Sequence, residues 1–264
     1  MVSWLPPWEV QGVLACVALA LLASIFRTAA KSQVIISELT AGATNGGTKQ
    51  LLLVIAHPDD ESMFFLPLLL NLRSKATFHL LCLSTGNFDN LGAIRKAELA
   101  AVWTSLRMQP DTLTTLDDPR FQDGMKSVWT SEDVAATVAK YANEHAIDAI
   151  FTFDEYGVSG HPNHISVHHG VKRALHHQLP SAVNAYALES TPMWRKYIGA
   201  LDVIFTEPSE AAQFVSFTPW ENYNAMALHH SQFVWFRRLF VIFSRYTYIN
   251  TFTQLRSASE KKIA

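Results

Sequence analysis

The run Ala56-His57-Pro58-Asp59-Asp60-Glu61 follows the apolar string Leu51 to Ile55 and opens a stretch that reads as a helix. An imidazole and three carboxylates are thus crowded at the carboxyl end of a buried strand, the edge where open α/β sheets hold their ligands. Burying so many polar groups costs folding free energy unless they bind something. A second cluster, Gly160-His161-Pro162-Asn163-His164, lies far downstream and again follows an apolar run, Ala149 to Phe153. If the two runs are parallel neighbours, both clusters meet at one end of one sheet. His57, Asp60 and His164 then supply two imidazoles and a carboxylate, the ligand set of a catalytic zinc site with its fourth position open. Asp59 is left unligated and close enough to take a proton from water. The competing reading makes the acids helix caps and first-turn charges, which accounts for one carboxylate and leaves two unexplained.

Alternating elements would position these clusters. Strands are expected at 51–56, 77–83, 112–116 and 149–153, and near 185–188 and 203–206; helices are expected at about 60–73, 91–107, 131–145 and 163–177. That order implies an α/β, Rossmann-like, largely parallel sheet with helices on both faces. The chain's 264 residues suffice for one sizeable core, and once an N-terminal stretch is set aside they fit a single such domain. A net charge of −2 without a basic stripe argues against a nucleic-acid partner. No Gly-x-Gly-x-x-Gly follows the first strand, which disfavours a nucleotide cofactor, and Gly157-Val158-Ser159-Gly160 lacks the second spacer of a nucleophile elbow. His168, His169, His176 and His177 read as helix surface or packing.

Taken together, the His57-Pro58-Asp59-Asp60-Glu61 run and His161-Pro162-x-His164 resemble the paired signature of the zinc-dependent de-N-acetylases that act on N-acetylglucosamine conjugates. The likeness extends over roughly residues 50 to 240 and is strongest to the branch that works on N-acetylglucosaminyl-phosphatidylinositol during glycosylphosphatidylinositol anchor biosynthesis at the endoplasmic reticulum. It implies metal-assisted amide hydrolysis, with Zn2+ or another divalent metal on His57, Asp60 and His164. Asp59 would be the general base and His161 the group that steadies the transition state. Many relatives carry Asp where this chain has Asn163, a change that alters the charge beside His164 but removes no ligand. Three further residues are expected to contact substrate. Arg95 could hold a phosphate through a bidentate fork, although an ion pair with Glu98 on the same helix is an equal reading. Asp123 could accept sugar hydroxyls or simply belong to an Asp-Gly turn, and His229 falls in a late motif that borders the family's pocket. Two other functions stay open: a de-N-acetylase of a different N-acetylglucosamine conjugate, and a noncatalytic membrane scaffold with a vestigial pocket.

Val10 to Phe26 is an apolar run broken only by Gln11, Gly12 and Ser24, at the short end of what spans a bilayer. The competing readings are a cleaved signal peptide and a core helix. Arg27 and Lys31 lie only on its C-terminal flank, which places the N-terminus in the lumen and the remainder in the cytosol. Cys16 and Cys82 are not expected to meet as a disulfide, and no Asn-x-Ser/Thr acceptor occurs, which agrees with a cytosolic catalytic domain. Lys261-Lys262-Ile263-Ala264 resembles a dilysine retrieval signal of the endoplasmic reticulum. The expected layout is a membrane anchor at 1–30, a linker at 31–49, the catalytic domain at 50–232 and an aromatic, basic segment at 233–264. In that segment Phe233 to Phe252 interleaves aromatics with Arg237, Arg238 and Arg245. This suits either a helix in the membrane interface with arginines reaching phosphates or elements packed on the domain.

Overall fold

The structure is a computed structural model and describes residues 7–42, 47–207 and 212–255. The dilysine tail lies outside the described residues. In chain order the strands are β1 (Gln50–Ile55), β2 (Thr77–Cys82), β3 (Leu113–Thr115), β4 (Ala149–Phe153), β5 (Asn184–Leu188), β6 (Ala212–Val215) and β7 (Ile249–Leu255). The helices are α1 (Pro7–Thr40), α2 (Asp60–Phe64), α3 (Leu66–Leu72), α4 (Gly92–Ser105), α5 (Ser131–Glu144), α6 (Gly157–Gly160), α7 (Pro162–His177), α8 (Met193–Lys196), α9 (Pro219–Leu228) and α10 (Trp235–Phe243).

Leu51 to Ile55 carry no polar side chain, so a strand built from them is stable only with both faces covered. β1 is accordingly central and buried, with β2 on one side and β4 on the other. The sheet runs β3-β2-β1-β4-β5-β7-β6; the first five strands in sequence are parallel, and β7 pairs antiparallel with β5 and β6. From β1 the chain steps outward through β2 and β3, then returns to the other side of β1 at β4. Strand order reverses between β1 and β4, and a crevice opens beyond their carboxyl ends. Both polar clusters follow these two strands. The Rossmann-like, largely parallel α/β fold is therefore as the sequence implies.

Four regions differ from expectation. The helix expected at 60–73 is two short helices parted at Phe65; Pro67, in the first turn of α3, has no N–H to continue a longer helix. The strand expected near 203–206 is a 3-10 turn, Gly199–Ile204, because Asp202 and Thr206 are drawn into a buried network with Arg195 and Arg245. β6 and α9 have no counterpart in the sequence reading, whereas α10 and β7 are a helix and a strand packed on the domain, one of the two expectations for 233–252; together they complete the sheet and one wall of the crevice. Finally, α1 continues to Thr40, beyond residue 30 where the sequence suggests a linker. Its C-terminal part buries Thr28, Ser32, Ile35 and Ile36 against the domain, where α1 packs on β6 and the 3-10 turn. Its N-terminal part is largely exposed among the described residues: Trp8–Thr40 is long and apolar enough to cross a bilayer, with a mean hydropathy of 2.1 over a window that is only 6% buried.

Candidate active site

The turn after β1 is held by its own acids. Asp60 Oδ2 accepts the backbone N–H of Ala56 at 3.2 Å and of His57 at 2.9 Å. Glu61 Oε2 accepts the N–H of Asp59 at 3.1 Å, and its other oxygen takes Ser62 Oγ at 2.6 Å and His229 Nε2 at 2.7 Å. Asp59 sits at the N-cap position of α2 yet makes no side-chain capping bond, and its φ of 109° lies in the left-handed region that costs a non-glycine residue energy. Capping thus accounts for Glu61, which reaches back to the N-cap N–H, and leaves Asp59 and Asp60 unexplained. The fold holds Asp59 in a strained conformation with its side chain turned into the crevice wall beside Arg95 and Arg237.

The second cluster is positioned by α6 and α7. His164 lies in the first turn of α7, stacked on Phe153 at the end of β4 with ring centroids 4.1 Å apart. Its Nδ1–H donates to the carbonyl of Gly157 at 3.0 Å. Gly157 has a φ of +65°, and a Cβ there would come 2.7 Å from His164 Cβ, so glycine is required for the ring to sit where it does. With Nδ1 donating, the neutral ring has an unprotonated Nε2, and this atom faces Asp60 Oδ1 at 3.2 Å. Two lone pairs at that distance repel unless a proton or a cation lies between them.

His57 repeats the arrangement in mirror form. Its Nε2 is 3.1 Å from Asp123 Oδ1 and 3.0 Å from Asn163 Oδ1, two acceptors that keep the hydrogen on Nε2. Burial opposes protonation of this ring, but Asp123 and Asp60 raise its pKa above the ordinary value; in its neutral form the free nitrogen is Nδ1, 3.8 Å from Asp60 Oδ2. A carboxylate or carbonyl behind an imidazole fixes which nitrogen can ligate, and both rings are set this way. Asn163 also accepts the N–H of Gly124 at 3.2 Å and donates to the carbonyl of Ser127 at 2.5 Å, a donation that an aspartate could not make. Burial opposes ionisation of Asp60, but the imidazoles of His164 and His57 hold its carboxyl well below the usual carboxylate range.

His161 brings a third ring nitrogen within 4.8 Å of those of His57 and His164. Its Nδ1, however, accepts the backbone N–H of Asn163 at 3.2 Å, so the neutral ring carries its hydrogen on Nε2. Burial and the neighbouring imidazoles push its pKa down to about 4, which keeps it neutral at physiological pH. Of the three imidazoles that lie close enough together to hold an ion, His161 is thus the one whose Nδ1 is engaged by backbone. Burial also lifts the carboxyl of Asp59 above its ordinary value, against the pull of Arg237 and Arg95. Both cations approach Oδ2, Arg237 at 2.5 Å and Arg95 at 3.4 Å; among the described residues Oδ1 takes no hydrogen bond.

A cavity of about 320 Å³ gathers these groups, lined by His57, Asp59, Asp60, His161 and His164 and closed by Arg95, Asp123, Lys196, Tyr197, Arg237 and Phe240. A larger cavity of about 540 Å³ lies along the outer side of α7 and contains none of the paired acids or imidazoles. Arg95 is turned to the site: its guanidinium donates to the carbonyls of Pro58 at 2.7 Å and Gly86 at 2.8 Å, and Glu98 binds Ser231 instead of pairing with it. Asp123 supports His57 and also reaches Arg95 at 3.4 Å. His229, expected at the pocket border, is fully buried against Glu61 and is not on the cavity wall. Sequence reasoning missed Arg237 and Lys196. Helical spacing carried a signal for Arg237, which falls on the side of α10 opposite Trp235, Phe236 and Leu239.

Residues 52–175 match the family described as GlcNAc-PI de-N-acetylase (PIG-L). A probable N-acetylglucosaminyl-phosphatidylinositol de-N-acetylase of Dictyostelium discoideum is 34% identical over 243 residues, covering 79% of this chain and 94% of that protein. The chain belongs to this family. An N-acetylglucosaminyl-phosphatidylinositol de-N-acetylase of Bos taurus is 36% identical over 225 residues, covering 80% of this chain and 85% of that protein. Among solved structures, the N,N'-diacetylchitobiose deacetylase of Pyrococcus horikoshii shares the fold, with a TM-score of 0.58 over 96% of this chain and 94% of that one at 14% identity. The segment matched by the de-N-acetylase family contains both polar clusters, Arg95 and Asp123, whereas His229 and Arg237 lie beyond it.

Proposed function

We propose that this chain hydrolyses the N-acetyl group of N-acetylglucosaminyl-phosphatidylinositol to acetate and the glucosaminyl lipid, the second step of glycosylphosphatidylinositol anchor biosynthesis. The observation that carries the chemistry is the meeting of His57 Nδ1 and His164 Nε2 on the two carboxylate oxygens of Asp60, at 3.8 and 3.2 Å, with His161 alongside and beside an acid that caps nothing. Two imidazoles and a carboxylate suit Zn2+ or another divalent first-row metal, and such a cation would satisfy the facing acceptors of Asp60 and His164. When bound, such an ion would polarise the acetyl carbonyl and lower the pKa of a water to roughly 7. The names of the relatives in Dictyostelium and cattle support the lipid as substrate.

The chain's own groups divide the remaining work. Asp59, with its raised pKa, takes the proton of the attacking water and holds it. His161, neutral and carrying its hydrogen on Nε2, donates to the carbonyl oxygen as that atom gains negative charge. The sugar nitrogen leaves with a proton from one of these two residues. Arg95 and Asp123 stand on the cavity wall where the sugar and its phosphate would lie. His229 acts from behind, through Glu61, which holds the backbone N–H of Asp59. α1 serves as a single-pass anchor in the endoplasmic reticulum membrane, with the catalytic domain on the cytosolic side.

The test is acetate release by the purified full chain from N-acetylglucosaminyl-phosphatidylinositol, before and after chelation and zinc return, with a soluble N-acetylglucosamine conjugate alongside. The expected result is release from the lipid that chelation stops and zinc restores. Release from the soluble conjugate alone would keep the chemistry and overturn the substrate; release from neither would overturn both.

A further inference from the structure

A helix at the edge of a soluble domain turns its charges outward and its apolar stripe inward. α10 buries Phe240 and Val241 but turns a second apolar stripe to the outside. Trp235, Phe236, Leu239, Ile242 and Phe243 fall on one side of the helix and all are exposed, Trp235 by 72%. Arg237, on the other side, points into the catalytic cavity and pairs with Asp59, and Arg238 folds back on Phe233, its Nε donating to that residue's carbonyl at 3.2 Å. Neighbouring elements follow the same rule. On α8, Met193 and Trp194 are exposed by 70% and 56%, whereas Lys196 is buried and donates to the carbonyl of Val158 at 2.9 Å, and Arg195 is paired with Asp202. After α8, Leu201 and Phe205 are exposed as well.

These side chains form one surface. Trp194 meets Phe205 edge to face at 5.2 Å, and Tyr197 meets Phe240 of α10 at 6.1 Å. The 3-10 turn carrying Leu201 packs on α8 and α10 on one side and on α1 on the other. The apolar face therefore borders α1, on which Val13, Leu14, Val17, Leu22 and Phe26 are exposed in turn. It also reaches the rim of the catalytic cavity, since Tyr197 and Phe240 line both.

We propose that the outward face of α10, together with α8 and the turn after it, is seated in one leaflet of the bilayer, so that a lipid substrate enters the cavity sideways from the membrane past Tyr197 and Phe240. The proposal rests on the reading of α1 as bilayer-spanning and deepens the reading of the site as one for a lipid. Three observations commit it to a bilayer: the outward apolar stripe, the contact of the neighbouring 3-10 turn with α1, and the Trp and Phe side chains that favour the headgroup boundary. Turning Arg237, Arg195 and Lys196 inward is costly in water and suited to an apolar surrounding.

Depth measurements on the full chain in phosphatidylcholine vesicles test this without using activity. Cys16 is exposed on α1 and Cys82 is buried, so a nitroxide on the native chain reports α1. A nitroxide on the Cys16→Ser, Leu239→Cys chain reports α10, and one on the Cys16→Ser, Lys140→Cys chain reports an aqueous surface. The expected result is that collisions with oxygen exceed those with a water-soluble nickel chelate at 16 and 239, and the reverse holds at 140. If 239 behaves as 140 does while 16 stays in the bilayer, the docking face is refuted and the anchor stands. If label pairs at 239 broaden each other and exclude both quenchers, a second copy of the chain covers this face and the proposal falls. If 16 and 239 both collide with nickel, docking and anchor fall together. None of these outcomes depends on acetate release, so a failure of the deacetylation reading is seen separately.

Discussion

The molecule holds two dense clusters of buried charge, and they have opposite characters. In the cluster of Arg195, Asp202 and Arg245, the Asp202 carboxylate accepts Arg195 Nε at 2.7 Å on Oδ1, and Arg195 Nη2 at 2.9 Å and Arg245 Nε at 2.6 Å on Oδ2. Thr206 Oγ1 adds a further contact at 3.1 Å, and Arg245 also reaches Thr251. Every strong acceptor there is engaged by a donor, and the cluster pins the 3-10 turn to β7. In the cluster of His57, Asp60 and His164, the outer atoms are engaged by backbone and by Asp123 and Asn163, while the inner imidazole nitrogens face only the carboxylate of Asp60. Burial and charge are common to both clusters. What distinguishes a site from a structural knot is the ligating capacity left over after the fold has been satisfied.

Substitutions in each cluster should break this contrast in different ways. The largest change is expected for Asp59→Asn, which keeps the shape and the ligands but cannot accept a proton. Acetate release should fall by roughly 10²- to 10⁴-fold with metal content unchanged, as read by rate assays and metal analysis. Asp202→Ala should do the converse. It strands Arg245 without its carboxylate and should lower the unfolding free energy by about 3–5 kcal/mol, measured by denaturant titration, while the folded fraction binds metal as the native chain does. A smaller effect is expected for Asp123→Asn. His57 keeps Asn163 as one acceptor, so metal affinity should fall by roughly 10- to 100-fold, seen by competition with a chelator; no change would place Asp123 outside the support of His57.

The same contrast explains how much could be read from the chain. β1 and β4 were legible because their apolar runs admit only a central, covered strand, and the two clusters directly follow them. His57, Asp60 and His164 meet beyond the carboxyl ends of those strands because the parallel order puts β1 beside β4. The antiparallel edge was not legible. Val203, Ile204 and Phe205 have strand-like character, but tertiary ion pairing at Asp202 overrides it. Arg237 reads as a cation within an aromatic run, and only the packing of α10 on α9 and the 3-10 turn aims it at Asp59. Which nitrogen of each imidazole is available depends on Gly157, Asp123 and Asn163, partners that no local pattern assigns.

The most direct test of leftover ligating capacity is the zinc content of the purified chain, by mass spectrometry after removal of loose metal, for the native protein beside His164→Ala and His161→Ala. The account predicts one ion per chain in the native protein, almost none in His164→Ala and an unchanged ion in His161→Ala. Retention of the ion by His164→Ala, or its loss from His161→Ala, would contradict the division between ligand and donor on which the mechanism stands.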